Sequence, residues 1–219
     1  MRSPVRAAAA IAALLTIALV AGCGGSSGDA AATSGGAATS GSDHDAHTST
    51  AFEGGTVSPV RAAPALRLRD IDGQVVDIAA MRGDPVLVTF VYANCPDVCP
   101  LIMSNLKTAR KDAGALGTRT RVIAVSVDPK GDTPAVVRRF LSQRGVAGFV
   151  DYAIGTRAEL EPVWAAWNVA QQVPKDDPEL IEHSALIYGV SSSGKLLTAY
   201  PVGFEPDAIA RDLSLLAKS

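Results

Sequence analysis

Two short stretches of the chain are apolar without interruption by charge. Val86–Tyr92 reads VLVTFVY, and Arg121–Val127 reads RVIAVSV after its first residue. Both are rich in β-branched residues and lack the in–out alternation of a half-exposed strand. The first predicts a strand buried on both faces, and the other a second core strand. Elsewhere apolar segments meet at turn residues. Ala65–Arg69 and Gln74–Ile78 flank Asp72-Gly73, and Ser184–Val190 and Lys195–Tyr200 flank Ser193-Gly194, so each pair predicts a hairpin. Helical patterns lie between. One runs over about Leu101–Leu116. Another opens at Asp132-Thr133-Pro134, an N-cap residue followed by proline in the first turn, and buries Val136, Val137, Phe140 and Leu141. Phe149–Ile154 predicts a short strand. Thr156-Arg157-Ala158-Glu159 fits a capping box leading to Leu160, Val163, Trp164 and Trp167, with Pro162 placed awkwardly inside. The two tryptophans are read as core anchors. Glu205-Pro206 opens a last helix that ends near Lys218.

The core order is strand, helix, strand, helix, insertion, strand, strand, helix. Two strands joined through a helix pair in parallel with a right-handed crossover, and the closing hairpin adds antiparallel strands. This predicts an α/β fold, a thioredoxin-like mixed sheet flanked by helices, with an N-terminal hairpin and a helical insertion.

The N-terminal quarter follows other rules. Arg2 and Arg6 precede Ala7–Val20, an apolar run of 14 residues, too short for a comfortable membrane span and suited to a signal h-region. Leu19-Val20-Ala21-Gly22-Cys23 resembles a bacterial lipobox, so residues 1–22 are expected to be a lipoprotein signal peptide, with Cys23 carrying the lipid. From Gly24 to about Thr56 the chain is Gly, Ser, Ala and Thr with a few acids and no Lys, Arg or Pro. That composition cannot offset its own chain entropy, so residues 23–56 are expected to be a tether and 57–219 the folded domain. The expected location is the outer face of the cytoplasmic membrane. The net charge of −2 excludes the basic footprint of a nucleic-acid binder.

With Cys23 set aside, two of the three cysteines remain, in Cys95-Pro96-Asp97-Val98-Cys99-Pro100 between a buried strand and a helix. A helix N-terminus favours thiolate over thiol, and Cys99 is expected to feel that field. Thiolates serve disulfide exchange and soft-metal binding alike. A structural disulfide is the plain alternative, but so short a loop adds little stability. His183 is the only histidine past residue 57 and is expected at the start of the strand Ser184–Val190, facing the cysteine loop. Two thiolates and one imidazole suit Cu(I), or Cu(II) with an added ligand, or zinc with a water. A lone histidine is as readily structural. Asp128 and Asp132 are read chiefly as a strand-end turn and a helix cap. Asp43-His44-Asp45-Ala46-His47 is read chiefly as linker, with weak Cu(II) capture the alternative.

Three separated motifs, Tyr92–Pro100 (YANCPDVCP), Val125–Pro134 (VSVDPKGDTP) and Glu182-His183-Ser184, together resemble the SCO/SenC family of copper-binding proteins that assist cytochrome c oxidase assembly. The resemblance covers roughly residues 60–217. It implies that Cys95, Cys99 and His183 are copper ligands. It also implies a metallochaperone rather than an enzyme, with cytochrome c oxidase subunit II or another cuproprotein as partner. The alternative is a thiol–disulfide oxidoreductase that keeps acceptor cysteines reduced. A peroxidase is disfavoured, since no arginine lies in the loop. The chain departs from the family's usual pattern at Glu182, where Asp is common, and at Ser191-Ser192-Ser193-Gly194.

Overall fold

The computed structural model describes residues 51–172 and 181–219. The signal segment, Cys23, His44 and His47 fall outside them. No helix among the described residues is long and apolar enough to cross a membrane.

The sheet is built around β4 (Val86–Val91), whose residues are all buried, and β5 (Arg121–Ser126), buried after its first residue. They pair in parallel, and β6 (Val150–Ile154) continues the parallel set beyond β5. The continuous apolar runs therefore mark the middle of the sheet, as burial on both faces requires. Beyond β6 comes the hairpin of β2 (Arg67–Asp70) and β3 (Val75–Asp77), with Gly73 at φ 78° in its turn. On the other side of β4 lie β9 (Ile187–Val190) and β10 (Lys195–Tyr200), turning through Gly194 at φ 82°. The order is β1-β10-β9-β4-β5-β6-β2-β3, a mixed sheet of thioredoxin-like plan.

The outermost strand, β1 (Gly55–Ala62), has no signature in the hydrophobic pattern. Nearly every residue in it is exposed, and it is held by backbone pairing to β10. It begins two residues inside the segment expected as tether. Just before it, the backbone N–H groups of Glu53 and Gly54 donate to the buried Asp212 carboxylate of α5 (Pro206–Lys218).

Helices α1 (Val98–Asp112) and α2 (Gly114–Arg119) replace the single helix expected, because Gly114 takes φ 58° and breaks the run. Helix α3 (Pro134–Arg144) is capped by Thr133, whose side chain accepts from Val136 N–H, and not by Asp132. Helix α4 (Arg157–Ala166) carries the expected capping box of Thr156 and Glu159 and runs on through Pro162. Trp164 and Trp167 are both buried, as core anchors should be. The insertion after α4 forms a separate two-stranded ribbon of β7 (Gln171–Gln172) and β8 (Glu182–His183).

Candidate metal centre

The loop from β4 to α1 leaves the carboxyl edge of the parallel strands, where open α/β sheets gather their ligands. Backbone bonds fix its path. Cys95 N–H donates to Tyr92 O at 3.2 Å, Val127 N–H donates to Val91 O at 2.9 Å, and Ala93 N–H donates to an Asp132 carboxylate oxygen at 2.8 Å. Cys99 lies in the first turn of α1, fully buried, and its N–H donates to Cys95 Sγ at 3.3 Å.

The two sulfurs are driven apart in charge. A hydrogen bond from the Cys99 thiol, together with the N–H groups of Cys99, Asp97 and Val98, lowers Cys95 to a pKa of about 5 against the opposing effect of burial. Cys95 is therefore a thiolate at neutral pH. The same hydrogen bond, and then burial, push Cys99 far above the ordinary thiol range, so it keeps its proton. This reverses the expectation that the helix start acts on Cys99. The free first-turn N–H groups stabilise the sulfur that accepts them, and that sulfur is Cys95.

His183 stands on β8, opposite Gln171 of β7, rather than at the start of β9, which begins only at Ile187. The pairing that removes it from the main sheet continues into Ser184, whose N–H donates to Ala170 O at 3.1 Å. Partial burial lowers the imidazole pKa, opposed by the Ser184 carbonyl and the Cys95 charge, so the ring is neutral near pH 7. Its Nδ1 lies 3.3 Å from Ser184 O. A carbonyl only accepts, so the neutral ring carries its proton on Nδ1 and leaves the Nε2 lone pair for a metal, the arrangement typical of histidine ligands.

Tyr92 and Gln171 fix the place of His183 against the ends of β4 and β5. The Tyr92 ring meets the imidazole edge-on, with centroids 6.1 Å apart. Tyr92 Oη accepts the Ile181 N–H at 3.4 Å, and Gln171 Nε2 donates to Val127 O at 3.0 Å. Nothing in residue type marks Gln171 or Tyr92 in advance, since their roles come from where β7 and β4 end. Among the described residues, no three His, Cys, Asp or Glu side chains stand together as a ready metal cluster. Cys95 and Cys99 are in contact, whereas His183 is not gathered into one cluster with them: it stands against Tyr92, near enough for the Cys95 charge to act on the imidazole. The donor chemistry fits a soft ion: a thiolate, a thiol that a metal can deprotonate, and a neutral imidazole.

The two aspartates separate. Asp128 makes the strand-end turn expected of it, its carboxylate accepting from the N–H groups of Lys130 and Gly131. Asp132 is buried and turned toward Ala93.

A family model described as SCO1/SenC matches residues 57–218. The SCO1 protein homolog of Bacillus subtilis (strain 168) is 26% identical over 132 residues, which are 59% of this chain and 68% of that protein. Bradyrhizobium japonicum ScoI, solved with copper bound, is 28% identical with a TM-score of 0.63 over 71% of this chain and 99% of that one. BsSco is described as a member of the Sco family of cytochrome c oxidase assembly proteins with a disulfide switch. It is 22% identical with a TM-score of 0.62 over 74% of this chain and 98% of its own, a likeness of fold alone.

Proposed function

We propose, because the chain belongs to the SCO1/SenC family, that it is a metallochaperone. It binds one copper ion through Cys95 Sγ, Cys99 Sγ and His183 Nε2 and passes it to the copper centre of cytochrome c oxidase, with subunit II as the expected acceptor. The observation that carries this reading is the contact of a Cys95 thiolate with Cys99, together with a neutral histidine on the neighbouring ribbon whose Nδ1 carries the proton, which makes Nε2 the donor atom for a metal. The copper-bound relative ScoI supports it. Copper is cargo here, and the chain's own part is to supply thiolate at neutral pH, to release the Cys99 proton on loading, and to hold the imidazole in one tautomer.

A second reading is favoured by the charge split of the two sulfurs. An accessible thiolate backed by a buried thiol is also the arrangement of a disulfide reductase, in which Cys95 attacks and Cys99 resolves. Both activities draw on the same sulfurs. In either case the protein works at the outer face of the cytoplasmic membrane, held by lipid on Cys23. Cys23→Ala should then leave copper binding intact and release the protein or leave its signal uncleaved.

Copper titration of the reduced chain, read as metal per polypeptide after desalting, tests the main reading. One ion should be retained by the wild type and none by Cys95→Ser, Cys99→Ser or the oxidised protein, since a disulfide offers no thiolate. Full retention by either serine variant refutes the ligand set.

A further inference from the structure

Asp132 is 5% exposed, and three donors converge on its carboxylate. One oxygen accepts Ala93 N–H at 2.8 Å, and the other accepts the hydroxyls of Ser126 at 2.6 Å and Tyr152 at 2.8 Å. Ser126 Oγ in turn accepts Asp128 N–H at 3.1 Å. None of these partners is a cation. A buried carboxylate among neutral donors costs several kcal/mol in desolvation, and that burial is what pushes Asp132 up to a pKa of about 6. Asparagine would fill the same volume at lower cost. It would also turn an NH2 group toward either the Ala93 N–H or the two hydroxyls, so only a carboxylate receives all three donors. Two of the donors belong to the β5 and β6 strands. The third, Ala93 N–H, belongs to the cysteine loop, two residues before Cys95. Close packing supports the same junction: a Cβ on Gly131, in the loop that carries Asp132, would come within 3.3 Å of Asn94 Nδ2.

We infer that Asp132 is a positioning residue for the Cys95–Cys99 pair: through Ala93 N–H it ties the cysteine loop to β5 and β6, so fixing the sulfurs, and it sets a negative charge behind a site that takes a cation. Both effects act in one direction. Without the carboxylate the sulfurs meet less often and thiolate becomes easier to form, which disfavours the disulfide. The same loss loosens the chelate and removes an attraction for the metal. The metal arm rests on the copper reading, whereas the thiol arm does not.

The test uses the full chain as wild type, Asp132→Asn and Thr156→Ala, the last destabilising α4 through its capping box away from the cysteine loop. Metal-free protein is equilibrated with glutathione. Each oxidation joins Cys95 to Cys99, and one glutathione disulfide takes up the two electrons and two protons to become two glutathione molecules. Asp132→Asn should lower this equilibrium constant about 10-fold and weaken copper binding about 10-fold, the range for groups that support a metal ligand. Thr156→Ala should leave both within about 2-fold of wild type. An Asp132→Asn constant no different from that of Thr156→Ala overturns the proposal. If Asp132→Asn does not fold, amide exchange at Ala93 in the wild type decides, with strong protection expected and exchange at the free-peptide rate overturning it. A wild type that binds no copper while Asp132→Asn still shifts the glutathione equilibrium removes the copper reading and supports the positioning role.

Discussion

The cysteine loop leaves β4, a fully buried strand of the central sheet, and runs directly into α1, whereas His183 stands on a two-residue strand that pairs only with β7. Three kinds of support converge on the cysteine side: strand neighbours on both sides of β4, a long helix whose first turn feeds N–H groups to Cys95, and the Asp132 carboxylate on Ala93. On the histidine side, among the described residues, hydrogen bonds from Gln171 to Val127 O and from Ile181 to Tyr92 Oη reach the main body. The difference bears on how one set of residues can serve two chemistries. Thiol exchange needs only the cysteine half, which the core builds in advance. The proposed copper site needs the histidine half as well, and each hydrogen bond that holds that half is worth about 1 kcal/mol. On that proposal, moving the histidine half costs less than moving the cysteine loop, which more of the fold holds.

The largest contrast lies within the cysteine half. On the reduced, metal-free chain, iodoacetamide should modify Cys95 at a rate that rises around pH 5 and is level above about pH 6, following its thiolate. Cys99 should remain unmodified until the protein is unfolded, because it is both buried and protonated. Peptide mapping by mass spectrometry reads both sites. Comparable labelling of Cys99 in the native protein would break the assignment of thiolate and thiol.

Removing the histidine half should separate the two chemistries. His183→Ala is expected to weaken copper binding by at least about 100-fold, beyond the 10–100-fold typical of losing a supporting group. The Cys95–Cys99 equilibrium with glutathione should stay within about 2-fold of wild type, since imidazole takes no part in thiol attack. Cells carrying His183→Ala should lose oxidase activity under copper limitation and recover it in part with added copper. Normal oxidase levels in those cells would favour the reductase over the chaperone.

Asp132 and His183 should also respond oppositely to pH. Burial raises Asp132 to about 6, so between about pH 4 and 6 the folded protein holds a proton that the unfolded chain has released. Stability from this group is highest below pH 4 and falls as pH rises through the window, by up to about 3 kcal/mol. His183, whose pKa burial lowers, does the reverse, its contribution being present above about pH 6.5 and falling with acid. Cys95 adds stability as pH rises above about 5, so the wild-type curve is a composite. The difference between wild type and Asp132→Asn isolates the first effect. Parallel denaturation curves for the two proteins from pH 4 to 7 would show that Asp132 is not held as a strained carboxylate.

How much of this the chain announces depends on where an interaction is made. β4 and β5 are legible because burial on both faces leaves no charged residue to break VLVTFV or VIAVS. Cys95 and Cys99 are legible because paired thiols between a strand and a helix have few other uses. Strand β1 is not, since an exposed edge held by backbone pairing places no demand on side-chain type. Nor is the ribbon of β7 and β8, whose register is set by backbone contacts between residues ten and twelve apart in the chain. Asp132 and Thr133 are both good caps in sequence. Thr133 takes that role because the Asp132 side chain is drawn inward by Ala93, Ser126 and Tyr152, partners brought together only by the folded sheet.

The smallest effect expected is also the one most specific to the histidine half. Gln171 pairs with His183 through the backbone and sends its side-chain amide to Val127 O, a carbonyl just past the end of β5. Gln171→Ala keeps the backbone pairing and removes the side-chain bond, worth about 1 kcal/mol net. The ribbon would then sit in its present place less of the time, and copper affinity should fall roughly 3- to 5-fold, since 1.4 kcal/mol corresponds to tenfold. The cysteine loop does not touch this amide, so the pH profile of Cys95 alkylation and the glutathione equilibrium should be unchanged. Copper competition titrations against a chelator of known affinity resolve a change of that size. A shift in the thiol equilibrium as large as the shift in copper affinity would mean that the two halves are one coupled unit, and the separation between a prebuilt cysteine site and a lightly attached histidine would have to be abandoned.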